Sequence, residues 1–135
     1  MKKVISIIIV FASMLCFASN SYAQNVIKCQ AYQLSYKTYE YGRWSHWSAW
    51  QDTNILIVFH FDTDRINIYS NSPQEFDIYD SASKYDVDGD EYYLLKCIDQ
   101  DGVNCEIRLY INSSGASQIY CDYSNIMYVY NYYKK

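Results

Sequence analysis

Apolar and polar residues alternate with a period of two along most of the chain, and a helical period is nearly absent. Ile55, Ile57, Phe59 and Phe61 alternate with Leu56, Val58 and His60, a run so apolar that it predicts a strand buried on both faces. Asp62-Thr63-Asp64 predicts a turn. Ile66 and Ile68 then alternate with Arg65, Asn67 and Tyr69, as in a half-buried strand. Asn71-Ser72-Pro73 ends that strand, and Phe76 and Ile78 alternate with Asp77 and Tyr79 in the next. Tyr85 to Asp90 reads as an acidic loop and Tyr92 to Ile98 as a strand. Its partner carries Cys105, Ile107, Leu109 and Ile111 on one face. Between the two, Asp99-Gln100-Asp101-Gly102-Val103 predicts a three-residue hairpin, a type I turn followed by Gly102 in the left-handed conformation of a G1 bulge. Asn112-Ser113-Ser114-Gly115 turns the chain again, Gln118 to Asp122 is a strand, Tyr123-Ser124-Asn125 is a turn, and Ile126 to Tyr133 is the last strand. Residues 26–37 and about 40–50 form the first pair.

Eight or nine short strands joined by tight turns leave no room for crossover helices, so the fold class is all-β and antiparallel, in one domain. An open meander of that length would expose two long edges. Closure removes them, and hairpins in sequence favour a small up-and-down barrel over a sandwich.

The first 23 residues stand apart. A positive start, Met1-Lys2-Lys3, precedes the apolar stretch Val4 to Ala18, and Ser21 and Ala23 occupy the small positions before a cut at Gln24. Residues 1–23 therefore read as a secretory signal and residues 24–135 as the domain of an exported bacterial protein, periplasmic or secreted. Losing Lys2 and Lys3 and no acid takes Lys+Arg from 11 to 9 against 15 Asp+Glu, a formal charge of −6. Such a balance speaks against nucleic acid and anionic membrane surfaces as partners, and no second apolar run approaches the about 18 residues that insertion as a spanning helix after cleavage would need. Cys16 leaves with the signal. The remaining Cys29, Cys97, Cys105 and Cys121 suggest two disulfides in an exported chain, whereas a thiolate zinc site wants closer pairs than Cys97 and Cys105. Counting back from the hairpin at Gly102 sets Cys97 opposite Cys105. That register predicts a Cys97–Cys105 bridge and leaves Cys29 for Cys121.

Tyrosine is the compositional anomaly, with 17 in the chain. Tyr128, Tyr130 and Tyr132 share one face of the last strand, and with Tyr69, Tyr79, Tyr110 and Tyr120 they are expected to point outward as an aromatic platform for a glycan, peptide or protein. Trp44-Ser45-His46-Trp47-Ser48-Ala49-Trp50 is the most distinctive string. In an extended strand its spacing puts Trp44 and Trp50 on one face and Trp47 on the other, lining a barrel mouth with His46 as a polar contact. The string is similar to the tryptophan repeat of thrombospondin type 1 modules and, over Trp44 to Ser48, to the W-S-x-W-S box of cytokine receptors. The first likeness implies arginines from an adjacent strand layered between the indoles and a cysteine-rich segment after them; Gln51-Asp52-Thr53 follows instead. Each likeness covers at most seven residues, and no function is carried across.

Asp86-Val87-Asp88-Gly89-Asp90 resembles a calcium loop, with Asp86, Asp88 and Asp90 as the metal ligands, although its glycine stands one place earlier than in an EF-hand. No cofactor other than that calcium ion is implied. Asp80-Ser81-Ala82 resembles a bacterial O-glycosylation signal. His60, inside an apolar strand, reads as a hydrogen-bonded core residue. Catalytic motifs are missing, so the expected function is that of a non-enzymatic binding protein using its aromatic surface. Inhibition of a secreted enzyme is the nearest alternative, and a minimal hydrolase with paired carboxylates is the next.

Overall fold

The computed structural model describes residues 25–111 and 117–135. The expected signal with its cut before Gln24, and the turn Asn112 to Gly115, lie outside them. Among the described residues there are nine strands: β1 (Val26–Glu40), β2 (Arg43–Trp44), β3 (Gln51–His60), β4 (Arg65–Tyr69), β5 (Gln74–Tyr85), β6 (Glu91–Asp99), β7 (Asn104–Tyr110), β8 (Ser117–Asp122) and β9 (Ile126–Lys134). Every neighbouring pair is antiparallel. The order runs β1-β3-β4-β5-β6-β7-β8-β9, and β9 pairs back to β1, so eight strands close an up-and-down barrel and β2 extends one side of β1. Among the described residues no sheet edge as long as a barrel strand is left open.

The expected hairpin is present. Asp99 N–H donates to Val103 O at 2.9 Å, Gly102 N–H donates to Asp99 O at 3.0 Å, and Gly102 sits at φ +80°. Two strands exceed their expected length because a bulge resets their alternation. β1 bulges between Ala31 and Gln33 and β5 between Ile78 and Asp80. The extra residue is a tyrosine in both, Tyr32 and Tyr79, each exposed.

Side chains fill the interior: Phe59, Phe76, Ile57, Ile66, Ile68, Leu95, Ile107, Leu109 and Ile119 are fully buried. The last strand faces the opposite way from the sequence expectation. Tyr130 and Tyr132 are 5% and 4% exposed and belong to the core, Tyr128 packs against it half-buried, and Met127, Val129 and Asn131 face outward. The reason lies in the neighbours. Tyr132 stands between Ala31 on β1 and Ser117 on β8, two small residues that leave a gap an aromatic ring fills. Its hydroxyl donates to the Tyr110 carbonyl at 2.9 Å.

The cysteines are also corrected. Cys29, Cys97, Cys105 and Cys121 are all buried free thiols. Cys97 and Cys105 do stand opposite each other. Theirs is a hydrogen-bonded cross-strand position, two steps from the Asp99–Val103 bond, where side chains diverge, and the Cys97 thiol donates instead to the Leu95 carbonyl at 3.5 Å. Cys29 is level with Lys134 on β9 while Cys121 is level with Tyr128. Six residues of strand separate the two levels, about 20 Å, far beyond the reach of a disulfide.

Candidate functional site

The tryptophan string does not form the strand expected over residues 40–50. β2 is two residues long, and the segment after it lies against β1 through a repeat of three. Ser45 N–H and Ser48 N–H donate to Thr38 O and Tyr36 O, both at 2.8 Å. The serine hydroxyls return the bonds, accepting Thr38 N–H and Tyr36 N–H at 3.0 Å. Ser35, 1% exposed, adds its hydroxyl to Ser48 O at 2.7 Å. A serine every third residue thus satisfies the flank of β1 that β3 leaves behind. A tryptophan precedes each of these serines. Trp44 and Trp47 consequently share one side, contrary to the extended-strand expectation, and the Lys37 ammonium lies over both rings, 5.5 and 4.7 Å from their centres. The cation over the indoles is a lysine, not the arginine that the thrombospondin likeness implies. Trp50 is exposed at the end of the segment, and His46 is exposed as well.

Strand registers place three outward rows across β6 to β1: Tyr92–Tyr110–Gln118–Asn131–Gln33, Leu94–Arg108–Tyr120–Val129–Ser35, and Lys96–Glu106–Asp122–Met127–Lys37. A chain of rings crosses the first two rows and ends on Trp47. Tyr92 packs on Tyr110 at 5.0 Å, Tyr110 on Tyr120 at 5.7 Å and Trp47 on Tyr120 at 6.1 Å. Tyr39 meets Trp44 at 5.4 Å. Trp47 spans β9 to reach Tyr120, which explains why the outward Val129 beneath is only 3% exposed. Arg108 lies 4.1 Å from the Tyr120 ring centre and is held by Asp122 through Nε at 2.7 Å and Nη2 at 3.2 Å. The Tyr120 hydroxyl donates to Gln118 Oε1 at 3.0 Å and the Tyr110 hydroxyl to Asp86 Oδ2 at 3.3 Å. Burial raises the pKa of both phenols, so they remain donors. Beside the rings an amide ladder links three strands: Gln118 Nε2 to Asn131 Oδ1 and Asn131 Nδ2 to Gln33 Oε1, each 3.0 Å.

This band terminates at the β1–β2 hairpin, whose two turn residues, Tyr41 and Gly42, have φ of +54° and +80°. Positive values at both positions define a type I′ turn. Tyr41 is 98% exposed.

On β3 and β4, strands that carry none of these rows, lies a cleft of about 500 Å³ lined by Thr53, Asn54, Ile55, Tyr69, Ser70, Asn71 and Ser72. A smaller one of about 60 Å³ is lined by Arg65, Glu75, Asp77, Asp99 and Gln100.

The acidic loop is a second copy of the Gly102 hairpin. Asp86 N–H donates to Asp90 O at 2.9 Å, Gly89 N–H donates to Asp86 O at 3.0 Å, and Gly89 has φ +85°. Asp86 Oδ1 accepts the N–H groups of Asp88 and Asp90, both at 2.9 Å, as Asp99 Oδ1 accepts those of Asp101 and Val103. The expected calcium ligands Asp86, Asp88 and Asp90 are not gathered. Asp86 caps the turn, and among the described residues no three acids, histidines or cysteines converge. Ser81 points into the barrel opposite Leu95 and is 7% exposed, so the folded strand does not offer its hydroxyl for modification. His60 is half-buried at the end of β3 rather than in the core. The shared D-x-D-G spelling of the two hairpins, and Lys37 two strand positions from Tyr39, were the available signals for what the sequence reading missed. No protein-family model matches the chain, and neither curated proteins nor solved structures provide a match.

Proposed function

We propose that this is an exported, non-enzymatic binding protein that docks a protein partner on the aromatic band from Tyr92 to Trp44 and the Tyr41 tip. One observation carries the reading: the polar ends of Tyr110, Tyr120 and Arg108 are already satisfied within the face. A sugar would need those protons for its own oxygens, and the hydroxyl protons of Tyr110 and Tyr120 and the Nε proton of Arg108 are already donated within the face. A protein hot spot instead gains from rigid aromatics and arginine that lose little freedom on binding. Tyr41 supports the same reading. A non-glycine residue with positive φ costs about 1 kcal/mol, and an almost fully exposed ring gains no packing in return. The small acidic cleft favours no hydrolase, since Asp77 pairs with Arg65 at 3.3 Å and Asp99 is taken up by its own turn.

Immobilised protein exposed to the producing cell's exported proteins, followed by quantitative binding of the captured species, tests this. Native protein and Tyr69→Ala should retain the same partner. Tyr41→Asn and Trp47→Ala should weaken it by about tenfold or more, the effect of losing an interface anchor. Asparagine tolerates the left-handed turn, so Tyr41→Asn should unfold at the same or a higher temperature. Equal capture by all four proteins would overturn the proposal.

A further inference from the structure

We infer that the cleft between β3 and β4 is a second site, taking a neutral, hydroxyl-rich oligosaccharide. Its lining residues lie on β3, β4 and the turn after β4, and none of them belongs to the aromatic band. Its volume of about 500 Å³ falls within the range of small-molecule sites. The chemistry of the lining selects the ligand. Two asparagines, two serines and a threonine supply donors and acceptors of both kinds, and no charged side chain is present. An ionic ligand losing its water there would find no countercharge, and an apolar one would leave the amides and hydroxyls unpaired. Tyr69, 48% exposed, adds one aromatic ring suited to the face of a sugar.

The groups are also held in place by neighbouring groups. Asn67 Nδ2 donates to the Tyr69 hydroxyl at 3.1 Å, leaving that phenol proton to donate outward. Gln30 Nε2 donates to Asn54 Oδ1 at 2.6 Å, which fixes the amide and leaves its NH2 as a donor. Ser70 Oγ donates to Ser72 O at 2.8 Å and keeps its lone pairs as an acceptor. Such mixed, fixed valences match a polyol, each hydroxyl of which both donates and accepts.

Titration of the isotope-labelled protein with cellotetraose, xylotetraose, maltotetraose, mannotetraose and tetragalacturonate, read by amide chemical shifts, tests the site. A neutral tetrasaccharide should move the amides of Thr53 to Ile55 and Tyr69 to Ser72 saturably at millimolar concentration. Tyr69→Ala should weaken it tenfold or more, Tyr69→Phe should retain most of the affinity, and Trp47→Ala should leave it unchanged. The inference is overturned if no neutral sugar binds, if only tetragalacturonate binds, if the shifts map to the aromatic band, or if Tyr69→Ala binds as the native protein does. Because the band's partner is read with Trp47 and Tyr41, either site can fail while the other stands.

Discussion

Burial raises the Cys29 thiol from 9.0 to about 12, more than the nearby Lys134 charge lowers it. A thiol with a raised folded pKa contributes its full stability below pH 9 and loses it as the pH climbs toward 12. The barrel should therefore weaken by on the order of 1 kcal/mol through this group by pH 10. Urea midpoints at pH 7.5 and pH 10 measure it, and Cys29→Val should reduce the difference between them. Cys97, Tyr130 and Tyr132, which burial raises too, and Cys121, raised first by its hydrogen bond with Cys105 and then by burial, supply the remainder. An unchanged difference in Cys29→Val would place that thiol in contact with solvent. Residue scale is also where the pattern misleads most. Tyrosine is apolar enough for the interior and polar enough for the surface, so the alternation of Met127 to Tyr132 fits either orientation of β9. Its direction is decided by Ala31 and Ser117, which lie on other strands. The cysteine register was legible from one turn, but the distance from Cys29 to Cys121 required the pairing of the first and last strands.

Turns are the elements that local sequence determines best, because their chemistry is contained within five residues. Both D-x-D-G hairpins follow one rule: the aspartate takes two backbone N–H groups and the glycine adopts a positive φ. A β-carbon added at Gly89 or at Gly102 meets nothing within 4 Å, so the penalty there is conformational alone. Gly89→Ala and Gly102→Ala should each cost about 1 kcal/mol, equal within error, in denaturant midpoints. A much larger cost at Gly89 would mean that the two turns are not built alike. Bulges and the serine repeat were less legible for a related reason. A bulge at Tyr32 or Tyr79 shifts alternation by one residue without any turn signal, and the threefold spacing of Ser45 and Ser48 acquires meaning only when the N–H and C=O groups of β1 are set beside it.

At the scale of the molecule, barrel class follows from the strand count and short connections, whereas the aromatic band follows from closure. Trp47 meets Tyr120 only because β9 lies between β1 and β8, and nothing near either residue announces the other. That seam joins the ends of the described chain, and Asn131 bonds across it in both directions, to Gln118 and to Gln33. Consecutive hairpins close short loops, but the contact of Gln33 with Asn131 closes nearly the whole chain and carries the largest loss of chain entropy. The meander should therefore assemble first and the seam last. Asn131→Ala removes two half-buried hydrogen bonds, a loss of about 1 kcal/mol. If the seam forms after the transition state, that loss appears wholly in unfolding, about fivefold faster, with the folding rate unchanged, whereas Gly102→Ala slows folding because its hairpin forms before the barrier. Stopped-flow folding and unfolding arms distinguish the two. Slower folding of Asn131→Ala with unchanged unfolding would mean that β1 and β9 meet before the barrier is crossed, and that closure organises the meander rather than completing it.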